Sequence, residues 1–272
     1  MNTLVRTEWL KMRKYNAFWW IMGITLLSYP GMNYMAYFIY NEMTNRPDQI
    51  SQYAKMAIGN PFAFPEAWHT VTFFSSLFLF VPAVVVIMLI SNEYTFRTHR
   101  QNVIDGWSRS QFITSKLIDV LIISFLITLM CFGVGLATGL ANQHGLIHYT
   151  WDQVYYLGLF FLQTFAQLSI AFLLGFLIKK AFLALGIFLF YFIILENMII
   201  GVLEWKGFTA GNYFPLEVSD KLIPKPAFWS KINPEAYQQS IDAIPLHIGL
   251  TILVTAIVWF ICYRSNNRRD LK

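Results

Sequence analysis

The chain predicts an all-α membrane protein with six transmembrane helices, and three observations carry that prediction. Only 13% of its 272 residues are charged and 56% are hydrophobic, whereas soluble domains average about 25% charged. Six apolar runs lie at approximately 17–40, 69–91, 117–141, 154–178, 181–203 and 244–263, each near the length of about 20 residues that crosses a bilayer as a helix. The runs are continuous, so they are helices; barrel strands would alternate over segments of about ten residues.

Orientation follows from the basic residues. One set of connections holds fourteen of the twenty: Arg6, Lys11, Arg13, Lys14, Arg97, Arg100, Arg109, Lys116, Lys179, Lys180, Arg264, Arg268, Arg269 and Lys272. The other set holds Arg46, Lys55, Lys206, Lys221, Lys225 and Lys231. The positive-inside rule then places both termini in the cytoplasm. The net charge of +5 is mostly this topology signal and implies no nucleic-acid partner.

Taken in order, residues 1–15 carry Val5, Trp9 and Met12 at i, i+4 and i+7. A helix here would present an apolar stripe to the headgroup region; the plain alternative is a frayed polar leader. The first apolar run is too long for a cleavable leader, and no small-residue cleavage site follows it. Within it, Tyr29-Pro30-Gly31 is expected to kink or break the helix, and Asn33 and Tyr34 make its outer third polar. Pro82 predicts a second kink, in the second span.

Between the second and third spans lies a basic stretch of 24 residues, Glu93 to Lys116. Residues 94–104 predict a short helix ending at Asp105-Gly106, with Phe96, Val103, Ile104 and Trp107 as an apolar edge flanked by Arg97 and Arg100. Such an edge suits a groove on another protein. Ser108-Arg-Ser-Gln111 has the spacing of a capping box and starts the third span. Helix, break and capped helix make a stiff elbow; the alternative is a positive-inside loop with no partner.

The third span contains Gly135 and Gly139, a spacing that lets helices approach closely. The connection 142–153 is short, and Lys179-Lys180 alone joins the fourth and fifth spans. Connections 41–68 and 204–243 are long. The latter combines Pro215, Pro224, Pro226 and Pro234 with Trp205, Phe214, Phe228 and Trp229, which suggests interfacial or partly re-entrant structure. With no repeat and no soluble domain, residues 1–272 are expected to form a single transmembrane domain.

Polar residues inside spans are candidates for a pathway or gate. Glu196 is the acidic residue well inside a span, with Asn197 beside it; it either lines a pathway or reaches outer headgroups or water beneath a re-entrant loop. Gln163 and Gln167 share a helix face and either line a pathway or bond neighbouring helices. Asn33 is a further pathway candidate. His144, His148 and Asp152 recur every four residues, but a fourth ligand is not evident and no metal site is assigned. Cys131 and Cys262 sit inside spans and form no disulfide framework. No nucleophile has a His–acid partner on its side of the membrane, so the chain is not expected to be an enzyme.

The 93–116 segment resembles the first cytoplasmic loop of ABC-2 type transporter permeases, where Glu, Gly-Thr, a basic residue and a hydrophobe precede Ser-Arg, an aromatic or aliphatic residue, and Lys. This chain matches at Glu93, Thr98, Arg100, Val103, Ser108, Arg109, Phe112 and Lys116. It departs at Arg97, where Gly is usual, and at Gly106-Trp107, where Pro or a small residue often stands. Residues 226–237, containing Ile232-Asn233-Pro234 and Tyr237, resemble that family's approach to its last helix.

The resemblance implies an ATP-driven exporter subunit in the bacterial cytoplasmic membrane, dimeric with a second permease copy or paralogue and docked on a separate cytoplasmic ATPase. Residues 1–15 would be the connecting helix. The coupling element would comprise Glu93, Phe96, Arg97, Thr98, Arg100, Val103, Ile104, Trp107, Arg109 and Lys116. The chain has no phosphate-binding loop of its own, so ATP and Mg would be bound by the partner and no cofactor by this chain. The alternative reading is an ion-coupled secondary transporter, which needs ionisable residues near mid-membrane.

Overall fold

The computed structural model describes residues 2–45, 59–104, 106–143, 149–226 and 233–268. Among them every regular element is helical. In chain order these are α1 (Asn2–Lys14), α2 (Asn16–Thr44), α3 (Glu66–Ser76), α4 (Phe80–Thr95), α5 (Thr98–Ile104), α6 (Arg109–Ala141) and α7 (Tyr155–Ile178). Then come α8 (Ala181–Phe190), a π turn (Tyr191–Leu195), α9 (Glu196–Trp205), a 3-10 turn (Thr209–Tyr213), α10 (Pro215–Asp220), α11 (Pro234–Asp242) and α12 (Ile244–Arg268).

Four helical stretches are long and apolar enough to cross a membrane: α6, α7, α8 through α9, and α12. A fifth candidate is the pair α3 and α4, bent by 50° at the break between them. The prolines explain part of this: Pro82 lies in the first turn of α4, where its missing N–H costs nothing. The sixth expected span is α2. Its 29 residues are long enough, but Ser28, Pro30, Gly31, Asn33 and its tyrosines lower its hydropathy, and it does not qualify by composition among the described residues. Nor does Pro30 break it; the helix runs continuously from Asn16 to Thr44.

α7 is the central helix. In its most apolar window 61% of residues are buried, against 22–33% for the other three long stretches, so its polar side chains face protein. Around it the chain runs back and forth between two ends. One end gathers α1, α5, the start of α6 and the finish of α12, where Arg109 Nη1 donates to Asn267 O at 3.0 Å and Asn266 Nδ2 to Arg109 O at 2.8 Å. At the other end Trp68 Nε1 donates to Thr150 O at 2.6 Å, and His69 bonds Pro224 O at 2.8 Å while stacking on Tyr156. The expected close approach in α6 is made there. A Cβ added at Gly135 would stand 2.8 Å from the Trp68 ring, and one at Gly139 would collide with Phe64.

The connection after α9 folds back into the bundle. Glu196, at the start of α9, accepts from the backbone N–H groups of Leu216 (2.9 Å) and Glu217 (2.8 Å), the opening turn of α10. An anionic side chain there satisfies donors that the helix itself leaves open. At its other end α10 is gripped by α7: Gln163 and Gln167 both donate to Asp220 Oδ1, at 2.8 and 2.7 Å. These two glutamines lie about 12 and 18 Å along α7 from its Tyr155 end, at 1.5 Å per residue. α10 therefore sits well inside the bundle. After residues 227–232, Asn233 caps α11, accepting from Ala236 N at 3.1 Å with Pro234 at the first helical position, the role those residue types favour.

Candidate functional site

The elbow between the second and third apolar runs is built by four local devices. α4 continues to Thr95, so the short helix begins at Thr98 rather than at residue 94. The break is Arg97, whose φ of 56° lies in the left-handed region, a conformation that costs an L-residue about 1–2 kcal/mol and that Gly adopts freely. α5 then ends in a Schellman arrangement: Gly106 has φ 95° and Trp107 N donates to Asn102 O at 3.0 Å. Finally Ser108 and Gln111 form the expected capping box, with Gln111 N donating to Ser108 Oγ at 3.1 Å and Ser108 N to Gln111 Oε1 at 2.8 Å.

Beneath the elbow is a buried ionic cluster joining three helices. Lys116 of α6 donates to Glu8 of α1, to Glu93 Oε1 of α4 at 2.6 Å, and to Asp119 Oδ2 one turn on at 3.2 Å. Lys11 adds a second ammonium, 3.0 Å from Glu8 and 3.2 Å from Glu93. Glu8, Glu93, Lys116 and Asp119 are all at most 6% exposed, whereas the Lys11 side chain is 35% exposed. Burial raises the Glu8 carboxyl, but the charges of Lys116 and Lys11 overcome it and hold the group down to about 2. Lys11 also lies 5.7 Å from the centre of the Trp107 ring, which ties α1 to the elbow directly.

This arrangement sorts the coupling residues of the sequence reading. Glu93 and Lys116 do not face outward; they are the internal fastening. Thr98 and His99 bond Glu93 O at 3.4 and 3.1 Å, and Arg109 fastens the elbow to the end of α12. The outward residues are Phe96 (72% exposed), Ile104 (77%) and Arg97. The side chains of Arg100 and Val103 lie outside the described residues, as do Asp105 and the His144–His148 stretch.

On α1 the buried positions are Glu8 and Met12, while Trp9, of the expected apolar stripe, is 37% exposed; the Val5 side chain lies outside the described residues. Two lysines waiting at the ends of α1 and α6 make an acidic residue the helix's point of attachment. Sequence reasoning missed Glu8 and Asp119. The signal was there for Asp119, three residues after Lys116 on a predicted helix and therefore on its face.

The pathway candidates are all engaged in helix-to-helix bonds or helix repair. Asn33 Nδ2 donates to Tyr29 O at 2.9 Å and to Ser75 Oγ at 3.3 Å, joining α2 to α3. Gln163 and Gln167 hold α10, and Glu196 caps it. Asn197 Nδ2 bonds Phe192 O and Ile193 O at 3.1 and 3.2 Å, carbonyls of the π turn whose partners are displaced there. Among the described residues no group of three or more His, Cys, Asp or Glu could hold a metal ion.

A multi-pass helical membrane protein with a fastened, outward-facing elbow at one end is the class that this fold and site define. A family model described as "ABC-2 family transporter protein" matches residues 4–195. The chain belongs to the ABC-2 transporter family, as a membrane subunit of a transport system. No curated protein and no solved structure matches it.

Proposed function

We propose that this chain is the permease of an ATP-driven exporter whose ATPase is a separate cytoplasmic polypeptide, docking on α5 and its flanks. Six spans are read by adding α2 to the four long stretches and the bent pair, with residues 1–272 as one transmembrane domain and α10 re-entrant from the outer side. Both termini and the elbow are then cytoplasmic, a placement that the distribution of Lys and Arg supports, and the membrane is the bacterial inner membrane that the family resemblance implies. Two such permeases, identical or paralogous, would form the pathway between them. ATP and Mg belong to the partner.

One observation carries this reading: the seven-residue helix presents Ile104 outward, and Phe96, the residue that caps α4 just before it, is exposed with it, while the roots of the elbow are fastened by buried charges. Exposed apolar side chains on a rigid mount suit a protein groove, and the fastening lets a push on α5 reach α1 and α6 together. The alternative of an ion-coupled secondary transporter took Glu196 as its ion-coupling residue, and that carboxylate is instead committed to the backbone of α10. The test is affinity purification from the native host in mild detergent. A stoichiometric partner carrying a phosphate-binding loop is expected; a chain that stays alone after crosslinking with ATP and vanadate would overturn the proposal.

A further inference from the structure

The far end of the bundle from the elbow holds a half-open cavity of about 680 Å³ between α3, α10, α11 and the start of α12. That volume is in the range of small-molecule sites, about 300–1,000 Å³. In its wall stands Asp220, exposed to the cavity although its Oδ1 is held by Gln163 and Gln167. Both glutamines are 1% exposed and both orient this carboxyl, Gln167 also donating to Ser219 Oγ at 3.1 Å; burial pushes the group up to about 7, and no ion pair holds it among the described residues. The neighbouring Lys221 does not neutralise it: that ammonium bonds Asn212 and lies 3.5 Å from Glu217.

The remaining lining completes a cation's environment. Phe73 and Tyr237 supply aromatic rings, whose faces attract ammonium groups. His247, 5% exposed, lines the same space with an Nδ1 that has no hydrogen-bond partner among the described residues. Setting aside the Lys221–Glu217 pair, the lining charges are Asp220 and Glu204 against Lys225, a net negative wall. A metal ion does not fit, because the described residues contain no three-ligand group and the space is far larger than a coordination sphere. We propose that this cavity binds a monovalent organic cation, an amine or quaternary ammonium compound, with Asp220 as its charge partner and Phe73 and Tyr237 against its flank.

The test is fluorescence anisotropy of ethidium titrated with the purified full-length chain in lipid nanodiscs, beside an anionic dye of similar size. Saturable ethidium binding is expected, weakened at least about tenfold in Asp220→Asn, since about 1.4 kcal/mol corresponds to a factor of ten. Asparagine retains an Oδ1 for the two glutamines, so the fold is kept while the charge is removed. Should that variant fail to fold, Tyr237→Leu replaces it and is expected to weaken binding several-fold. Absence of saturable ethidium binding, equal affinity in the folded variant, or equal uptake of the anionic dye would each overturn the proposal. None of these readings depends on an ATPase, so they stand apart from the exporter reading.

Discussion

Replacing Lys116 by Met should be the most damaging single change in the ionic cluster, and the geometry says by how much. The methionine keeps the length of the side chain but removes the one charge that contacts Glu8, Glu93 and Asp119 together. Glu8 and Glu93 would keep Lys11, at 3.0 and 3.2 Å. Asp119, at 5% exposure, has no other ion pair among the described residues. Leaving one buried charge uncompensated costs about 3–5 kcal/mol, which is the upper bound here because a buried carboxyl that loses its partner takes up a proton. Lys11→Met is the internal control. Its side chain is 35% exposed, and the carboxylates it leaves still face Lys116, so the cost is about 1 kcal/mol or less. Stability would be followed by denaturant unfolding in detergent micelles, and docking of α1 by the distance between spin labels at Arg6→Cys and Ser110→Cys. Lys116→Met should be destabilised by several times more than Lys11→Met, with a broadened label distance. Equal losses in the two variants, or an unchanged distance in Lys116→Met, would refute the idea that Lys116 fastens α1.

Acid should loosen the same fastening. Because the folded-state value of Glu8 is lowered to about 2 from an ordinary 4.5, its contribution is complete above pH 4.5 and disappears as pH falls toward 2; the linked energy is on the order of 3 kcal/mol and is the same interaction, not an addition to it. Label distances recorded from pH 7 downward should widen in wild type and be pH-independent over that range in Glu8→Gln. Arg97→Gly should stabilise the elbow by about 0.5–1 kcal/mol, the left-handed strain relieved less the greater chain entropy of glycine, seen as slower proteolysis near the elbow. Glu196→Leu removes the acceptor for two α10 N–H groups, each left without its charged partner at a cost of about 1–3 kcal/mol; faster amide exchange at Leu216 and Glu217 is the expected readout. Gly139→Leu should unfold the bundle where the added side chain meets Phe64.

Local chemistry was the most legible part of the sequence. The capping box at Ser108 and the helix end at Gly106 depend on neighbours within four residues, and the structure has both of them. The helix boundary at the elbow was misplaced because an arginine does not announce the positive φ that Arg97 adopts; the glycine usual at that position in the resembling family was the one sign of the break. The apolar runs identified the long helices, but α2 mixes polar residues into its length because some of them meet protein: Asn33 bonds Ser75 of α3 and Tyr29 is buried against Phe160 of α7. The ionic cluster was illegible in its partners. Lys116 and Glu93 could be read as a basic loop's members, yet the bond from Lys11 to Glu93 and that from Lys116 to Glu8 join residues 82 and 108 positions apart, which only the fold brings together. The same holds for Asp220, an ordinary loop residue in sequence that becomes a held carboxylate once α10 meets α7.

The account's central claim is that the exposed edge of α5 receives a phosphate-loop ATPase. A photo-reactive amino acid placed at Ile104, and in a second strain at Phe96, would be irradiated in native membranes and the crosslinked products identified by mass spectrometry. The account predicts that both positions capture one polypeptide carrying a phosphate-binding loop, and that capture falls sharply in the Lys116→Met background. Capture of lipid alone, or of a protein without such a loop, would contradict it.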